Sequence, residues 1–256
     1  MSFHQRLTRG EKVFGIMLSE IANPNAAMML ATAGLDFFVI DMEHGTLDYS
    51  EMAGLVTAAR GWNVAPVVRI PEIRRETVLK PLDAGAAGLV VPQVEEVEQV
   101  EEVVSHAMYP DRGRRGVALR RAHSAFAKRP AVQYMAEADR ETLVLVQIET
   151  RRGLENVDRL AEVEGLGGFF IGPFDLSVDL GIPGALDHEE MREAYRTVIA
   201  AAKRTNRVAA IHVFDPHMAV ELMQDGIDMC SVSSEINMLV DQASNNVQIM
   251  RDATQP

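Results

Sequence analysis

Glu149 closes the run VLVQIE, and Asp175 stands just past the run FFIG. Both runs are short, apolar and β-prone, which reads as buried parallel strands opening at their C-terminal ends into functional loops. If both strands belong to one parallel barrel, the two carboxylates reach the same mouth. Two carboxylates at an open mouth suit a hard dication. Taken alone, Glu149 also reads as a helix N-cap or first-turn carboxylate, because Thr150 and a helical run follow it.

Other strand ends add to the pair. Asp41, Glu43, His44 and Gly45 end or follow FFVID, Arg69 ends APVVR, Gln147 precedes Glu149, Gly172 and Pro173 precede Asp175, and His212 stands near the end of RVAAIHV. Asp83 lies late in a helical run, just before Gly85. An ion held by only two carboxylates keeps positions open for substrate and acts as a Lewis acid on a carbonyl. Arg69, always charged and forked, suits a carboxylate or an enolate. An imidazole such as His44 suits proton transfer at neutral pH. Gly45 and Gly172 admit close approach of backbone to a ligand. Together these groups fit proton abstraction next to a carbonyl. Each also has a plain structural reading: His44 as a capping or core histidine, Arg69 as an ion-pair partner of Glu149, Asp83 as a turn cap, and His217 as a first-turn surface residue.

These residues need a frame. Strand-like runs recur at 13–18, 37–41, 65–71, 88–92, 143–148, 168–171, 207–213 and 229–232, with amphipathic helical runs between them. Asp48 followed by Glu51 forms a capping box ahead of a stripe of Met52, Leu55, Val56 and Ala59. Met191, Ala194, Tyr195, Val198, Ile199 and Ala202 keep a 3.6-residue period. A doubly wound sheet requires a glycine-rich turn after its first strand, and FGIMLSE has none. The pattern therefore predicts a single (β/α)8 TIM-barrel domain over residues 1–256. The last helical run, carrying Ile236, Leu239, Val240, Ala243, Val247 and Met250, is long for a closing helix and is expected to reach another subunit.

Composition narrows the partners. A net charge of −12 argues against a nucleic-acid partner, which needs a basic face. No apolar run is long enough to span a membrane, and the polar N-terminus is unlike a signal peptide. The single cysteine, Cys230, excludes an intrachain disulfide and fits a reducing compartment. The expectation is a soluble cytoplasmic protein. Glu95, Glu96, Glu98, Glu101 and Glu102 read as a solvated helix face. Residues 109–129 form a long irregular stretch with Arg112, Arg114, Arg115, Arg120, Arg121, Lys128 and Arg129. Such a stretch serves subunit contacts or an anionic substrate.

The blocks FVIDMEHG, APVVRIP, PLDAGAAGLVVPQVE, VLVQIET and IGPFDLS resemble the class II pyruvate aldolases of the HpcH/HpaI aldolase and citrate lyase family, in family order, from about residue 13 to about residue 226. The resemblance implies a (β/α)8 barrel with Glu149 and Asp175 as ligands of Mg2+, Mn2+ or Co2+. It implies His44 as base with Asp83 as its dyad partner, Asp41 as a carboxylate backing the metal site, and Arg69 as the enolate-stabilising group. Gln147 is implied near the keto acid, and Gly172 and the backbone of Phe174 as amides holding its carboxylate. It also implies a hexamer, a trimer of dimers that exchange the last helix. The reaction so implied enolises a 2-keto acid, pyruvate or hydroxypyruvate, and adds it reversibly to an aldehyde. A lyase acting on a CoA thioester is the alternative, with residues 109–129 the one candidate for its phosphates. A barrel that binds keto acid and metal without chemistry finds no support in the sequence. Two positions depart from the family pattern. His212 stands where an apolar residue usually faces the keto acid's methyl, and Ser233, Ser234 and Glu235 replace a Gly-x-Asp turn. Both make the pocket more polar and favour a hydroxylated substrate.

Overall fold

Successive side chains of a strand point to opposite faces, and here the two faces meet different surroundings. The structure, a computed structural model, describes residues 1–254. It is a closed barrel of eight parallel strands: β1 (Val13–Leu18), β2 (Phe37–Asp41), β3 (Ala65–Arg69), β4 (Gly88–Val91), β5 (Leu143–Ile148), β6 (Gly168–Ile171), β7 (Val208–Val213) and β8 (Met229–Ser234). Each strand pairs with the next, and β8 pairs with β1. The expected barrel and the order of its strands are found, with several strand ends moved by one or two residues.

Outward residues such as Phe38, Ile40, Val68, Val146 and Ile171 pack under the helices. Inward residues such as Val13, Phe37, Val39, Val67, Leu145 and Phe170 fill the barrel. Gly15 is part of that filling: a Cβ there meets the Phe37 ring at 2.6 Å. Near the C-terminal end the inward positions stop being apolar. They become Asp41, Arg69, Gln147, His212 and Ser231, of which only His212 is more than marginally exposed. A buried polar layer is costly unless its members satisfy one another. Its position marks the mouth as the functional end.

The helices are α1 (Phe3–Thr8), α2 (Asn25–Thr32), α3 (Tyr49–Ala59), α4 (Arg75–Ala84), α5 (Val97–Ala107), α6 (Ala131–Glu141), α7 (Arg151–Leu160), α8 (Pro173–Asp179), α9 (Glu189–Arg204), α10 (Pro216–Asp225) and α11 (Glu235–Thr254). The capping box of α3 forms as expected: Asp48 accepts from the amides of Ser50 and Glu51, and Glu51 accepts from the amide of Asp48. Met52, Leu55, Val56 and Ala59 are buried, as is the whole α9 stripe. No helix among the described residues is long and apolar enough to cross a membrane.

Three helices go beyond the sequence reading. α1 closes the N-terminal end of the barrel, burying Leu7 and laying Phe3 against Phe37 with ring centroids 5.8 Å apart. α6 follows the irregular stretch, and α8 is a short helix inserted after β6. Residues 109–129 are irregular apart from the single turn Ala122–Ser124. Arg115 within them is not a surface charge; its side chain is 3% exposed. α11 leaves its own barrel: Leu239, Val240, Val247 and Met250 are exposed along it.

Candidate active site

Asp41 organises the mouth. It is the last residue of β2 and points inward beside Arg69, the last residue of β3, because the two are register partners. The pair is bidentate, with Arg69 Nε donating to Asp41 Oδ1 at 2.9 Å and Nη2 to Oδ2 at 2.7 Å. Asp41 Oδ1 also accepts the amides of Glu43 at 3.1 Å and His44 at 3.3 Å. One carboxylate thus fixes the guanidinium and the loop that presents His44. Burial pushes the Asp41 carboxyl up, but Arg69 and the two amides outweigh it and hold it below the usual range. Gly45 lets this loop close, since a Cβ there collides with the Asp41 carbonyl.

Glu149 stands one residue past β5 and is 2% exposed. Its Oε1 accepts the Gln93 amide at 2.6 Å, and Gln147 Nε2 donates to its Oε2. Loss of water raises this carboxyl to about 7, and the negative Glu43 and Asp175 push the same way. Asp175 sits in the first turn of α8. Gly172 allows the approach of β5 to β6, because a Cβ there lies 2.8 Å from both Glu149 Oε2 and Gln147 Nε2. Its amide, expected to hold a substrate carboxylate, instead continues the ladder to Ile148 O at 3.1 Å. Pro173 has no N–H, and Phe174 follows it in the first turn of α8, where helix amides have no intrahelical partner.

Glu43, which follows the end of β2, has no role predicted from the sequence but sits beside Arg69. Its Oε2 lies 3.2 Å from Arg69 Nη1 without hydrogen-bond alignment. Burial raises its carboxyl, with Arg69 opposing. Its signal was its place two residues past Asp41 on the same loop.

His44, Arg69, Gln147, Gly172, Phe174, Asp175 and His212 line one cavity of about 340 Å3, together with Met17, Ser19 and Ser234. His212 Nδ1 is 3.0 Å from Ser231 Oγ. Burial and the nearby Arg69 lower this imidazole to about 4, so it is neutral at physiological pH. Glu235 does not face the cavity as a free charge. Its Oε1 accepts the amides of Ser19 and Glu20 at 2.7 Å each and of Ile21 at 3.3 Å, tying down the loop after β1.

Asp83 is the expected site residue that the chain does not bring to the cavity. α4 runs back along the barrel from the end of β3, so its last turn lies at the N-terminal end, just before β4. There Asp83 Oδ1 accepts from Arg115 Nη2 at 2.9 Å and lies 3.8 Å from His123 Nε2. The expected His44–Asp83 pair is not formed within the chain.

No three His, Cys, Asp or Glu side chains gather as a complete metal cage among the described residues. Glu149 and Asp175 nevertheless fit a hard cation. Both supply oxygen, Glu149 is a water-stripped carboxylate among like charges, and Gln147 Oε1 is buried without a partner. Such a two-carboxylate site leaves positions open.

A parallel (β/α)8 barrel that gathers carboxylates, a guanidinium and an imidazole at its C-terminal mouth defines an enzyme built to act beside a carbonyl. Residues 16–241 match the HpcH/HpaI aldolase/citrate lyase family. The chain belongs to that family and is a carbon–carbon lyase of the aldolase type. It is 36% identical over 256 residues to a 2-keto-3-deoxy-L-rhamnonate aldolase of Klebsiella pneumoniae, covering 99% of this chain and 95% of that one. It is 34% identical over 244 residues to a hydroxypyruvate/pyruvate aldolase of Roseovarius nubinhibens, covering 94% and 93%. The crystal structure of an HpcH/HpaI aldolase from Desulfitobacterium hafniense superposes with a TM-score of 0.95 at 32% identity, covering 100% of this chain and 98% of that one.

Proposed function

We propose that this divalent-metal-dependent aldolase enolises a 2-keto acid, pyruvate or hydroxypyruvate, and adds it reversibly to an aldehyde. The observation that carries the reading is the one cavity lined by Asp175, His44, Gln147 and the Asp41-anchored Arg69, with the buried Glu149 bound to Gln147 just behind its wall. Glu149 and Asp175 would hold Mg2+, Mn2+ or Co2+, which supplies Lewis-acid polarisation of the keto carbonyl. Arg69 keeps N–H groups beyond those bound by Asp41 and offers them to the oxygen that becomes anionic. The Phe174 amide and Gln147 receive the carboxylate end. His44 moves the proton at C3. Cleavage follows the same steps in reverse.

The CoA-thioester alternative has less support, because Arg115 of the basic stretch is engaged by Asp83 at the other end of the barrel. The exposed apolar stripe of α11 supports assembly into the hexamer of exchanged helices. Asp83 reaches a His44 only across such a subunit contact. A cytoplasmic location agrees with the single buried thiol. Deuterium exchange at C3 of pyruvate, followed by NMR with and without EDTA, tests the reading without knowledge of the aldehyde. Metal-dependent exchange supports it; exchange unaffected by EDTA, or none with added Mn2+, overturns it.

A further inference from the structure

His212 is a polar group on the cavity wall that β7 contributes. It continues the inward series Val208, Ala210, His212 on β7. Across the register it pairs with Ser231, which is completely buried. The ring is held from two sides. Phe214 meets it edge-on at 5.0 Å between centroids, and Phe174 packs edge-on against Phe214 at 5.6 Å. Nδ1 faces Ser231 Oγ at 3.0 Å, leaving Nε2 toward the cavity that His212 lines.

The Ser231 contact also sets which nitrogen carries the proton. Ser231 Oγ has no other side-chain or backbone partner among the described residues. If Nδ1 donated, the hydroxyl hydrogen would be left unpaired in a dry interior, which is unfavourable. The hydroxyl therefore donates to Nδ1, and the proton of the neutral ring resides on Nε2. The cavity wall thus presents one fixed N–H donor, uncharged and with the Phe214 ring beside it. A neutral donor suits a hydroxyl oxygen better than it suits the carboxylate, which the proposed reading already gives to the Phe174 amide and Gln147.

Resting on the reading of this cavity as the keto-acid site, we infer that the His212–Ser231 pair selects the substituent on C3 of the keto acid, with Nε2–H donating to a C3 hydroxyl. A methyl group in the same place leaves that N–H buried and unpaired, so pyruvate is accepted but disfavoured. His212 is a specificity-determining residue and Ser231 a positioning residue that fixes its tautomer.

The test is a ratio measured within each protein: the rate of C3 deuterium exchange for hydroxypyruvate divided by that for pyruvate, in the Mn2+-loaded native chain. Calorimetric dissociation constants for the same two compounds give a second, turnover-independent ratio. His212→Leu is expected to lower both ratios about tenfold, the loss of one neutral hydrogen bond together with relief of an unpaired donor. His212→Gln, which restores an N–H near the same place, is expected to recover most of that change. Ser231→Ala, which frees the tautomer, is expected to lower the ratios two- to threefold, roughly. Ratios unchanged in His212→Leu overturn the inference, and so does an equal loss with both compounds, since that leaves the ratio where it was. Exchange with neither compound in the native chain removes the keto-acid reading itself, a failure distinct from an unaltered ratio.

Discussion

Removing the cation and varying pH should expose the cost of burying Glu149. Its carboxyl rises from 4.5 to about 7, which corresponds to about 3 kcal/mol at ~1.4 kcal/mol per pH unit. The folded, metal-free protein therefore holds this proton more tightly than the unfolded chain does. Below pH 4.5 the group is protonated in both states and contributes nothing. Between pH 4.5 and about 7 the folded state loses stability, and the full ~3 kcal/mol is gone above about 7. A dication must displace the same proton. Competition weakens apparent affinity by a factor of 1 + 10^(7 − pH), about 30-fold at pH ~5.5 and close to none at pH ~8. A carboxylate at its ordinary value would show almost no change over this interval. Calorimetric titration of the metal-free protein with Mn2+ at the two pH values reads the factor directly. Denaturant unfolding of the same samples reads the stability, and Glu149→Gln should be more stable than the native chain at pH ~8 while binding no metal. Equal Mn2+ affinity at both pH values, with stability flat between them, would refute the placement of Glu149 as a water-stripped ligand.

Asp41→Asn removes the charge that fixes Arg69 and should destabilise the protein by about 3 kcal/mol, the usual loss when one partner of a buried pair is removed, seen in denaturant unfolding along with a fall in C3 exchange. Gly172→Ala places a methyl 2.8 Å from Glu149 Oε2 and Gln147 Nε2; Mn2+ affinity should drop at least about tenfold as the carboxylate is displaced, while the far-ultraviolet spectrum of the barrel is kept. Cys230 is buried and its thiol is pushed up to about 12, so alkylation in the native state at pH ~8 should be undetectable on a timescale that labels the unfolded chain fully; mass spectrometry distinguishes the two.

The barrel and most of its mouth were legible because a strand has a period of two and a fixed polarity. Once FFVID, APVVR and VLVQI are strands of one parallel barrel, Asp41, Arg69 and Glu149 must arrive at one end. What was not legible depended on where helices and loops stop. Asp83 carries the right chemistry, but the length of α4 places it at the far end, beside Arg115. Gly172 was expected to offer its N–H, which the ladder already uses, whereas its missing Cβ lets β5 and β6 approach, a contact only the folded barrel reveals. Glu235 was read as added polarity in the pocket, whereas three backbone amides from a loop more than two hundred residues away claim one of its oxygens. No local pattern announces a contact of that separation. α1 escaped notice because Leu7 is its only buried residue, too little to show a period.

That acidic side chain at the seam has a further consequence. Residue 235 is the first of α11 and also the anchor of the segment that lays Ser19 against the cavity. A pull on the free arm of α11 is therefore delivered to the rim of the reaction chamber through one carboxylate, with no relay between. Docking of the arm on a neighbour would stiffen the rim, and a chain cut after residue 240 should show faster amide deuterium uptake at residues 19–21. In such a molecule, quaternary association and the shape of the chamber are two readings of the same joint.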